Sequence, residues 1–407
     1  MPLNDAAVLL PDAEWRTRPG MTRLLDALDV AGGSSRFVGG AVRDTLLGLP
    51  VSDVDVATRL DPQDVIRRLT AAKIKAIPTG IAHGTVTAVA DGHAVEVTTL
   101  RSDVTTDGRR ATVAFTGDWR GDAARRDFTI NALYADPFSG EIFDYFGGLA
   151  DLAAGHVRFI GEPLERIAED HLRILRFFRF HARFGRGDPD APALAACTLR
   201  ANDLMALSRE RIADEMLKLL ALPAPVPALA LMIERAILSP VLPEIRSVAL
   251  LEPLIAAEHA AAIAPDPLRR LAALLPRDPL LAEKIAVRLK LSNRARKRLA
   301  LAADPEIPAD PHHLAYRAGT ISTLDRLLLA NRPAEAAGIA AWPIPRLPIG
   351  GGVLVARGLG QGPIVARTLR AIEDAWVDAG FPQGPEFDAI VERALRRPVK
   401  SDCRSGR

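Results

Sequence analysis

The chain has 407 residues, of which 48% are hydrophobic, 25% charged and 5% aromatic; it is too long for one core of roughly 100 to 200 residues and too apolar to be disordered. Fifty-two Lys plus Arg against 50 Asp plus Glu leave a formal charge of +2, so the total neither demands nor forbids a nucleic-acid partner. Two cysteines, Cys197 and Cys403, exclude a zinc ribbon or disulfide framework and suit a reducing compartment.

No apolar run approaches the ~18 residues needed to cross a bilayer. The first residues, Met-Pro-Leu-Asn-Asp, lack a basic leader region. The expectation is a cytoplasmic protein with no membrane partner.

From about residue 34 to 146, short runs at 36–38, 52–56, 86–90 and 94–98 alternate apolar and polar residues between Gly, Asp and Pro turns, which reads as a sheet. After Asp151 the spacing changes to three and four, interrupted by prolines at 223, 225, 227, 240 and 243, which reads as helix. Strands first and helices afterwards predict an α+β fold, a sheet-bearing head followed by helical layers, with seams near 150, 222 and 304–311.

Within the head, Arg36-Phe-Val-Gly-Gly-Ala-Val-Arg-Asp44 reads as strand, glycine turn and a helix from about Ala41. Gly39 and Gly40 let backbone amides approach an anion at a helix N-terminus. A Gly-Gly turn alone is ordinary punctuation; Arg43, two residues into the helix, turns the reading toward phosphate.

Nine residues after Asp44 comes Ser52-Asp53-Val54-Asp55-Val56. Aspartates at i and i+2 of a strand share a face, with Val54 and Val56 turned to the core. Two such carboxylates repel unless a cation sits between them, and Mg²⁺ is characteristically shared between carboxylates and substrate phosphates. Glu96, an acid among β-branched neighbours, is a candidate third member. Arg125-Arg126-Asp127 offers guanidinium forks for phosphate oxygens before a helix-like apolar stretch; a surface pair between Arg126 and Asp127 is the plainer option.

In the C-terminal half, Arg288, Lys290, Arg294, Arg296, Lys297 and Arg298 form an acid-free basic helix. Gly358-x-Gly360-x-Gly362 opens no βαβ unit and is closed by Pro363, so it is not a dinucleotide site. His312-His313, with no acidic partner at ligand spacing, reads as a solvated helix start.

Four ordered motifs carry a resemblance: residues 37–58, 125–133, Glu169-Asp-His-Leu-Arg173-Ile-Leu-Arg176-Phe-Phe-Arg179, and Ser208-Arg-Glu-Arg-Ile212. Over roughly 34–220 the chain resembles class II tRNA nucleotidyltransferases of the polymerase β-like superfamily. The resemblance implies a head with a mixed sheet (1–150) and all-helical neck (151–222), body (223–310) and tail (311–407). It also implies template-free addition of C, C and A from CTP and ATP to the tRNA 3′ end.

Position by position it gives Asp53 and Asp55 two Mg²⁺ ions, with Glu96 as a further catalytic acid. The Gly39-Gly40 turn and Arg43 receive the triphosphate, Arg126 a further nucleotide contact, and Asp170, Arg173, Arg176 and Arg179 form a nucleotide-reading helix. Arg288, Lys290, Arg294, Lys297 and Arg298 become the RNA-contacting cluster.

Selectivity follows from hydrogen bonding. Cytosine and adenine both show an amino donor beside a ring-nitrogen acceptor, so an Asp acceptor and an Arg donor, expected at i and i+3 of one helix face, select them together.

The alternatives are a poly(A) polymerase, a CC- or A-adding partial enzyme, and a noncatalytic RNA-binding protein. Pro78-Thr-Gly-Ile-Ala-His-Gly-Thr-Val-Thr87 and Gly358-Leu-Gly-Gln-Gly-Pro363 resemble the CCA-adding pattern. The loop at 101–110 is retained, although 111–115 is a couple of residues shorter than usual. Decay to a mere RNA binder would have discarded the acids, and they are present.

Overall fold

The computed structural model describes residues 8–106, 111–307 and 309–396; Cys403 and residues 107–110 of the expected loop lie outside them. The chain divides into two compact units, Met1–Arg246 and Ser247–Arg407.

The first unit carries β1 Ser35–Val38, β2 Asp55–Thr58, β3 Lys75–Gly80, β4 Thr85–Ala90, β5 His93–Thr99, β6 Arg101–Thr106, β7 Ala111–Phe115, β8 Leu133–Ala135 and β9 Ile142–Asp144. Seven of these form one sheet in the order β3-β4-β5-β2-β1-β8-β9, while β6 and β7 form a separate ribbon. β2 and β5 run parallel and the other paired strands antiparallel, so the sheet is mixed. The β4–β5 hairpin turns on Asp91 (φ 48) and Gly92 (φ 87), the two left-handed positions that a two-residue hairpin requires.

Two elements differ from expectation. The strand expected at 52–56 starts at Asp55, because β1 bends away at Gly39 and leaves 52–54 with no antiparallel neighbour. The stretch after Arg126 is a 3-10 turn, Thr129–Asn131, followed by β8 rather than a helix. Its Leu133 and Tyr134 are fully buried, and its backbone pairs with both β1 and β9.

Around the sheet lie α1 Met21–Ala27, α2 Gly40–Leu46, α3 Pro62–Ala71, α4 Trp119–Ala124 and α5 Gly148–Ala154; α6 Pro163–Glu169, α7 Arg173–Phe184, α8 Ala191–Leu199, α9 Arg209–Leu220 and α10 Val226–Glu234 follow. α3 is set by an Asp61 cap on the Asp64 amide at 2.8 Å and by Pro62 in the first turn. α7 buries Ile174, Phe177, Phe178 and Phe180 and sends Arg173, Arg176, Arg179 and Arg183 to one side at spacings of three and four. α10 packs on α7, so the segment assigned to a body from 223 begins inside the first unit.

The second unit is helical: α11 Leu251–Ala260, α12 Pro267–Leu274, α13 Pro279–Arg288, α14 Asn293–Ala302 and α15 Pro311–Ala318, then α16 Thr320–Leu329, α17 Pro333–Ala341, α18 Gly351–Ala356, α19 Pro363–Asp378 and α20 Pro385–Arg396. Its polar interior is an ion network in which Arg269 donates to Glu258 at 2.7 Å and to Asp325 at 2.9 Å. Such buried charges persist only when paired.

The expected basic helix is two elements. Arg288 ends α13, Lys290 sits in the following turn at φ 54, and the remainder lie on α14. No helix among the described residues is long and apolar enough to cross a membrane.

Candidate active site

The site begins where β1 ends. Phe37 and Val38 are buried, and the Gly39 amide still donates to Leu133 O at 3.0 Å. Gly39 then takes φ 68, a conformation open to glycine, and α2 starts at Gly40.

A Cβ at Gly39 would lie 3.5 Å from Arg126 Nη1, and one at Gly40 would lie 3.7 Å from Arg43 Nη2, so two guanidinium groups flank the bend. Arg43 is buried; its Nε donates to Asp44 Oδ1 at 2.7 Å, its Nη1 to Asn131 Oδ1, and it lies 4.2 Å over the Phe184 ring. Burial holds its pKa below the ordinary arginine value despite Asp44.

The carboxylates stand on the neighbouring strands. Val54 and Val56 point into the core, which turns Asp53 and Asp55 outward as the alternation requires. Asp55 is directly opposite Glu96 in the parallel β2–β5 pair, anchored by the Glu96 amide donating to Val54 O at 3.0 Å. Glu96 and Asp53 are exposed, and Asp53 Oδ2 accepts from Ser52 Oγ at 2.8 Å.

Burial, with repulsion from Glu96 and Asp53 and against the pull of Arg126, raises the Asp55 carboxyl to about 6. Arg126 is therefore electrostatically coupled to Asp55 as well as adjacent to Gly39. Among the described residues no group of three or more His, Cys, Asp or Glu is arranged to hold a metal unaided. A cation here would need non-protein ligands such as phosphate oxygens.

Asp127 is not paired with Arg126 on the surface. It is buried, accepting from Arg176 Nε at 2.8 Å, Asn131 Nδ2 at 3.0 Å and the Phe128 amide at 2.9 Å. Burial would raise its pKa, yet Arg176 and Asn131 hold it at about 2.

Arg179 Nε donates to the buried Glu215 of α9 at 2.6 Å, and Arg183 Nη2 to Asp44 Oδ2 at 3.0 Å. The arginine side of α7 is thus tied to α2, to the Arg126-Asp127 segment and to α9.

Asp170 and Arg173 are not on one helix face as expected. α6 stops at Glu169, Asp170 is extended (φ −151, ψ 105), and α7 starts at Arg173, so the pair brackets a break between helices. Asp170 Oδ2 accepts from Arg211 Nη2 at 2.8 Å. Arg173 donates to Glu169 Oε2 at 2.6 Å, Arg166 O at 2.8 Å and Arg125 O at 3.0 Å.

Asp122, Tyr134 and Glu215 were given no part by the sequence, and Asn131 and Arg211 stood only inside the motifs at 125–133 and 208–212, without a role of their own. Asp122 could have been found by its i, i+3 and i, i+4 spacing to Arg125 and Arg126, and Glu215 as an acid on the apolar side of α9.

In the second unit, Arg298 Nε donates to Asp325 Oδ2 at 2.6 Å and its Nη2 lies 2.8 Å from Asp266, so its guanidinium is occupied. Arg294 and Lys297 are exposed. His312 and His313 do have an acidic neighbour, Asp310, at 2.7 and 3.6 Å, which corrects the reading of an isolated pair; the Asp310 carboxylate caps α15 through the His312 amide at 2.8 Å.

Residues 35–158 match the family model for the poly A polymerase head domain, and 190–248 match one described as a probable RNA and SrmB-binding site of polymerase A. The chain is 34% identical over 365 residues to the mitochondrial CCA tRNA nucleotidyltransferase 1 of Mus musculus, covering 85% of this chain and 83% of that one. The Bacillus stearothermophilus CCA-adding enzyme in complex with CTP superposes with a TM-score of 0.72 at 29% identity, over 94% of this chain and 99% of that one.

A Thermotoga maritima CCA-adding enzyme complexed with tRNA shares the fold, with a TM-score of 0.62 at 19% identity over 92% and 94% of the two chains. Relatives of this extent, joined to a glycine bend, paired carboxylates and a helical second unit, make the chain a member of the class II CCA-adding tRNA nucleotidyltransferases.

Proposed function

We propose that this nucleotidyltransferase completes the 3′ end of tRNA by adding C, C and A from CTP and ATP and releasing pyrophosphate. One observation carries the reading: Asp55, in register with Glu96, is electrostatically coupled to the same Arg126 that stands beside the Gly39 bend. A triphosphate placed on that bend would have donors on one side and carboxylates on the other.

The donor set fits a divalent cation, because burial, and then repulsion from Glu96 and Asp53, drive Asp55 toward protonation in its absence. Asp53 and Asp55 would hold Mg²⁺ with the nucleotide's phosphates, and Glu96 is the third acid. When bound there, a pair of Mg²⁺ ions supplies Lewis acidity and charge neutralisation for in-line transfer to the RNA 3′-hydroxyl.

The protein's own groups do the positioning. Amides of the Gly39-Gly40 bend and the Arg126 guanidinium bind phosphate oxygens, and Arg43, whose Nη2 lies 3.7 Å from a Cβ position at Gly40, is the further triphosphate contact. Asp170 accepts from the base amino group while Arg211 keeps hold of its carboxylate, and Arg173 donates to the ring nitrogen by exchanging a protein partner for the base edge. Arg176 and Arg179, paired with Asp127 and Glu215, hold α7 in place for that exchange.

The exposed cations Arg294 and Lys297 bind RNA phosphates from the second unit. The same proposal reads 1–150 as catalytic head, 151–222 as neck, and 223–310 and 311–407 as RNA-binding body and tail. Cytoplasmic operation belongs to it too, resting on the low cysteine count, which suits a reducing compartment.

The test is incubation with tRNA ending before CCA, with CTP alone, ATP alone and both, followed by 3′-end sequencing. CCA ends are expected with both nucleotides. A stop at CC would mean a CC-adding enzyme, and long A tails a poly(A) polymerase.

A further inference from the structure

We propose that Asp122 is a positioning residue that aims Arg126 at the glycine bend and ties that aim to the root of the β6–β7 ribbon and to Arg173. The proposal rests on the nucleotide contact assigned to Arg126 above.

Asp122 lies on α4 and is 1% exposed, yet it meets donors from four residues. Its Oδ1 accepts from the Arg101 amide, the first residue of β6, at 3.2 Å and from Arg125 Nε at 2.8 Å. Its Oδ2 accepts from the Tyr134 hydroxyl at 2.6 Å and from Arg126 Nη2 at 3.2 Å. The Tyr134 oxygen in turn accepts from Arg126 Nε at 3.1 Å.

Asp122, Tyr134 and Arg126 therefore close a triangle that grips the guanidinium at Nε and Nη2. The guanidinium is planar, so fixing two nitrogens fixes the third. That third nitrogen, Nη1, is the atom 3.5 Å from a Cβ position at Gly39.

An arginine free to change rotamer would present a charge to the triphosphate; one held at two points presents a donor in a fixed direction. The lowered pKa of Asp122, about 2 because Arg126 and Arg125 outweigh burial, keeps the gripping group ionised throughout the working range.

The main chain of the same two arginines points elsewhere. Arg125 O accepts from Arg173 Nη2 at 3.0 Å, and Arg126 O from Arg166 Nη2 at 3.0 Å. Side chains held by Asp122 and carbonyls held by α6 and α7 make Arg125-Arg126 a joint between the phosphate end and the base end of the site. The Arg101 amide adds the ribbon to the same joint.

The experiment uses the full chain with tRNA ending before CCA. Asp122→Asn keeps the shape but removes the charge shared by both arginines. The KM values for CTP and ATP should rise by about tenfold or more while the KM for tRNA and the circular dichroism spectrum stay unchanged. On an Arg126→Ala background the same substitution should add less than about twofold, because its effect passes through Arg126.

An unchanged nucleotide KM in folded Asp122→Asn, or effects that multiply with Arg126→Ala, would overturn the proposal. Should Asp122→Asn fail to fold, Tyr134→Phe removes one side of the triangle by a single oxygen, and several-fold higher nucleotide KM is expected; no change there overturns it equally. Wild-type protein that fails to extend tRNA would refute the function itself, whereas active wild type with indifferent variants refutes only the part given to Asp122.

Discussion

Asp55 and Glu96 face each other across adjacent parallel strands, β2 and β5; burial first, and then repulsion from Glu96, raises the Asp55 carboxyl to about 6. A folded-state pKa above the unfolded value near 3.8 means that Asp55 stabilises the fold at low pH. That contribution is lost as pH rises from about 4 through about 6. Mg²⁺ should offset the loss, so we expect it to raise Tm more at pH 8 than at pH 5. Asp55→Asn should remove both the Mg²⁺ response and its pH dependence in a thermal melt, and Asp53→Ala should lower CMP and AMP incorporation by on the order of a thousandfold with the fold intact. A full Mg²⁺ response in Asp55→Asn would dismiss the metal assignment.

Gly39 occupies φ 68, and a Cβ there would find ordinary packing distance rather than a clash, 3.5 Å from Arg126 Nη1. The cost of Gly39→Ala is therefore conformational, about 1 to 2 kcal/mol for a side chain in the left-handed region. Urea unfolding should show that loss, accompanied by a higher nucleotide KM as the amides shift. Gly40→Ala, with φ in the helical range, should cost far less stability, and equal losses in the two variants would remove the conformational argument.

The glycine bend and the strand alternation were legible because both are local: Gly39-Gly40 before a helix, and Asp53 and Asp55 alternating with Val54 and Val56, need no distant partner. What escaped was long-range. Nothing near Arg176 in sequence announces Asp127, 49 residues away, and nothing near Asp170 announces Arg211, 41 away. The break between α6 and α7 was hidden for a different reason: residues 163–184 carry continuous helical spacing, and the interruption at Asp170 comes from tertiary contacts with Arg211 and the Arg125 carbonyl. β8 resembles a helix in sequence because a strand buried on both sides shows no alternation.

Asp170 accepts from Arg211, which holds its carboxylate with an acceptor available for an amino group on the base. Uracil presents a carbonyl oxygen at that edge and is repelled by the carboxylate. Asp170→Ala should lower the preference for CTP over UTP by about tenfold or more in kcat/KM. Arg211→Ala, which frees the carboxylate to rotate, should reproduce part of that loss. Unaltered discrimination in Asp170→Ala, measured by UMP misincorporation, would move base reading elsewhere.

Asp127 behaves oppositely to Asp55. Its pKa is lowered to about 2, so its contribution is present above the unfolded value near 3.8 and lost as pH falls toward about 2. Asp127→Asn should cost about 2 kcal/mol at pH 7, since Arg176 then loses its nearer counter-charge and keeps only Glu215, 3.7 Å away. It should also flatten the acid limb of a urea-midpoint titration below pH 4 while leaving the window between about 4 and 6, assigned to Asp55, unchanged. An acid limb as steep as in wild type would show that other groups carry it.

On α14, adjacent cations have different prospects with RNA. Arg294 and Lys297 are exposed at the rim of a cleft of about 650 Å³ that also includes Ser292 and Thr320, at the starts of α14 and α16. The first turn of α14 contains no acid. Arg298, which lines the same cleft, is committed to Asp325 and Asp266. Neutralising Arg294 and Lys297 together should therefore leave folding alone and reduce the slope of log K against log salt for tRNA by about 0.7 to 0.9 for each RNA phosphate left unneutralised. Arg298→Ala should instead cost about 1 to 3 kcal/mol of stability, because it strips one of the two arginines from the fully buried Asp325 and leaves Arg269 to hold it alone. Filter binding across a salt series and urea unfolding of the same proteins separate the two effects, and an unchanged slope in the double variant would exclude this face of α14 from the RNA interface.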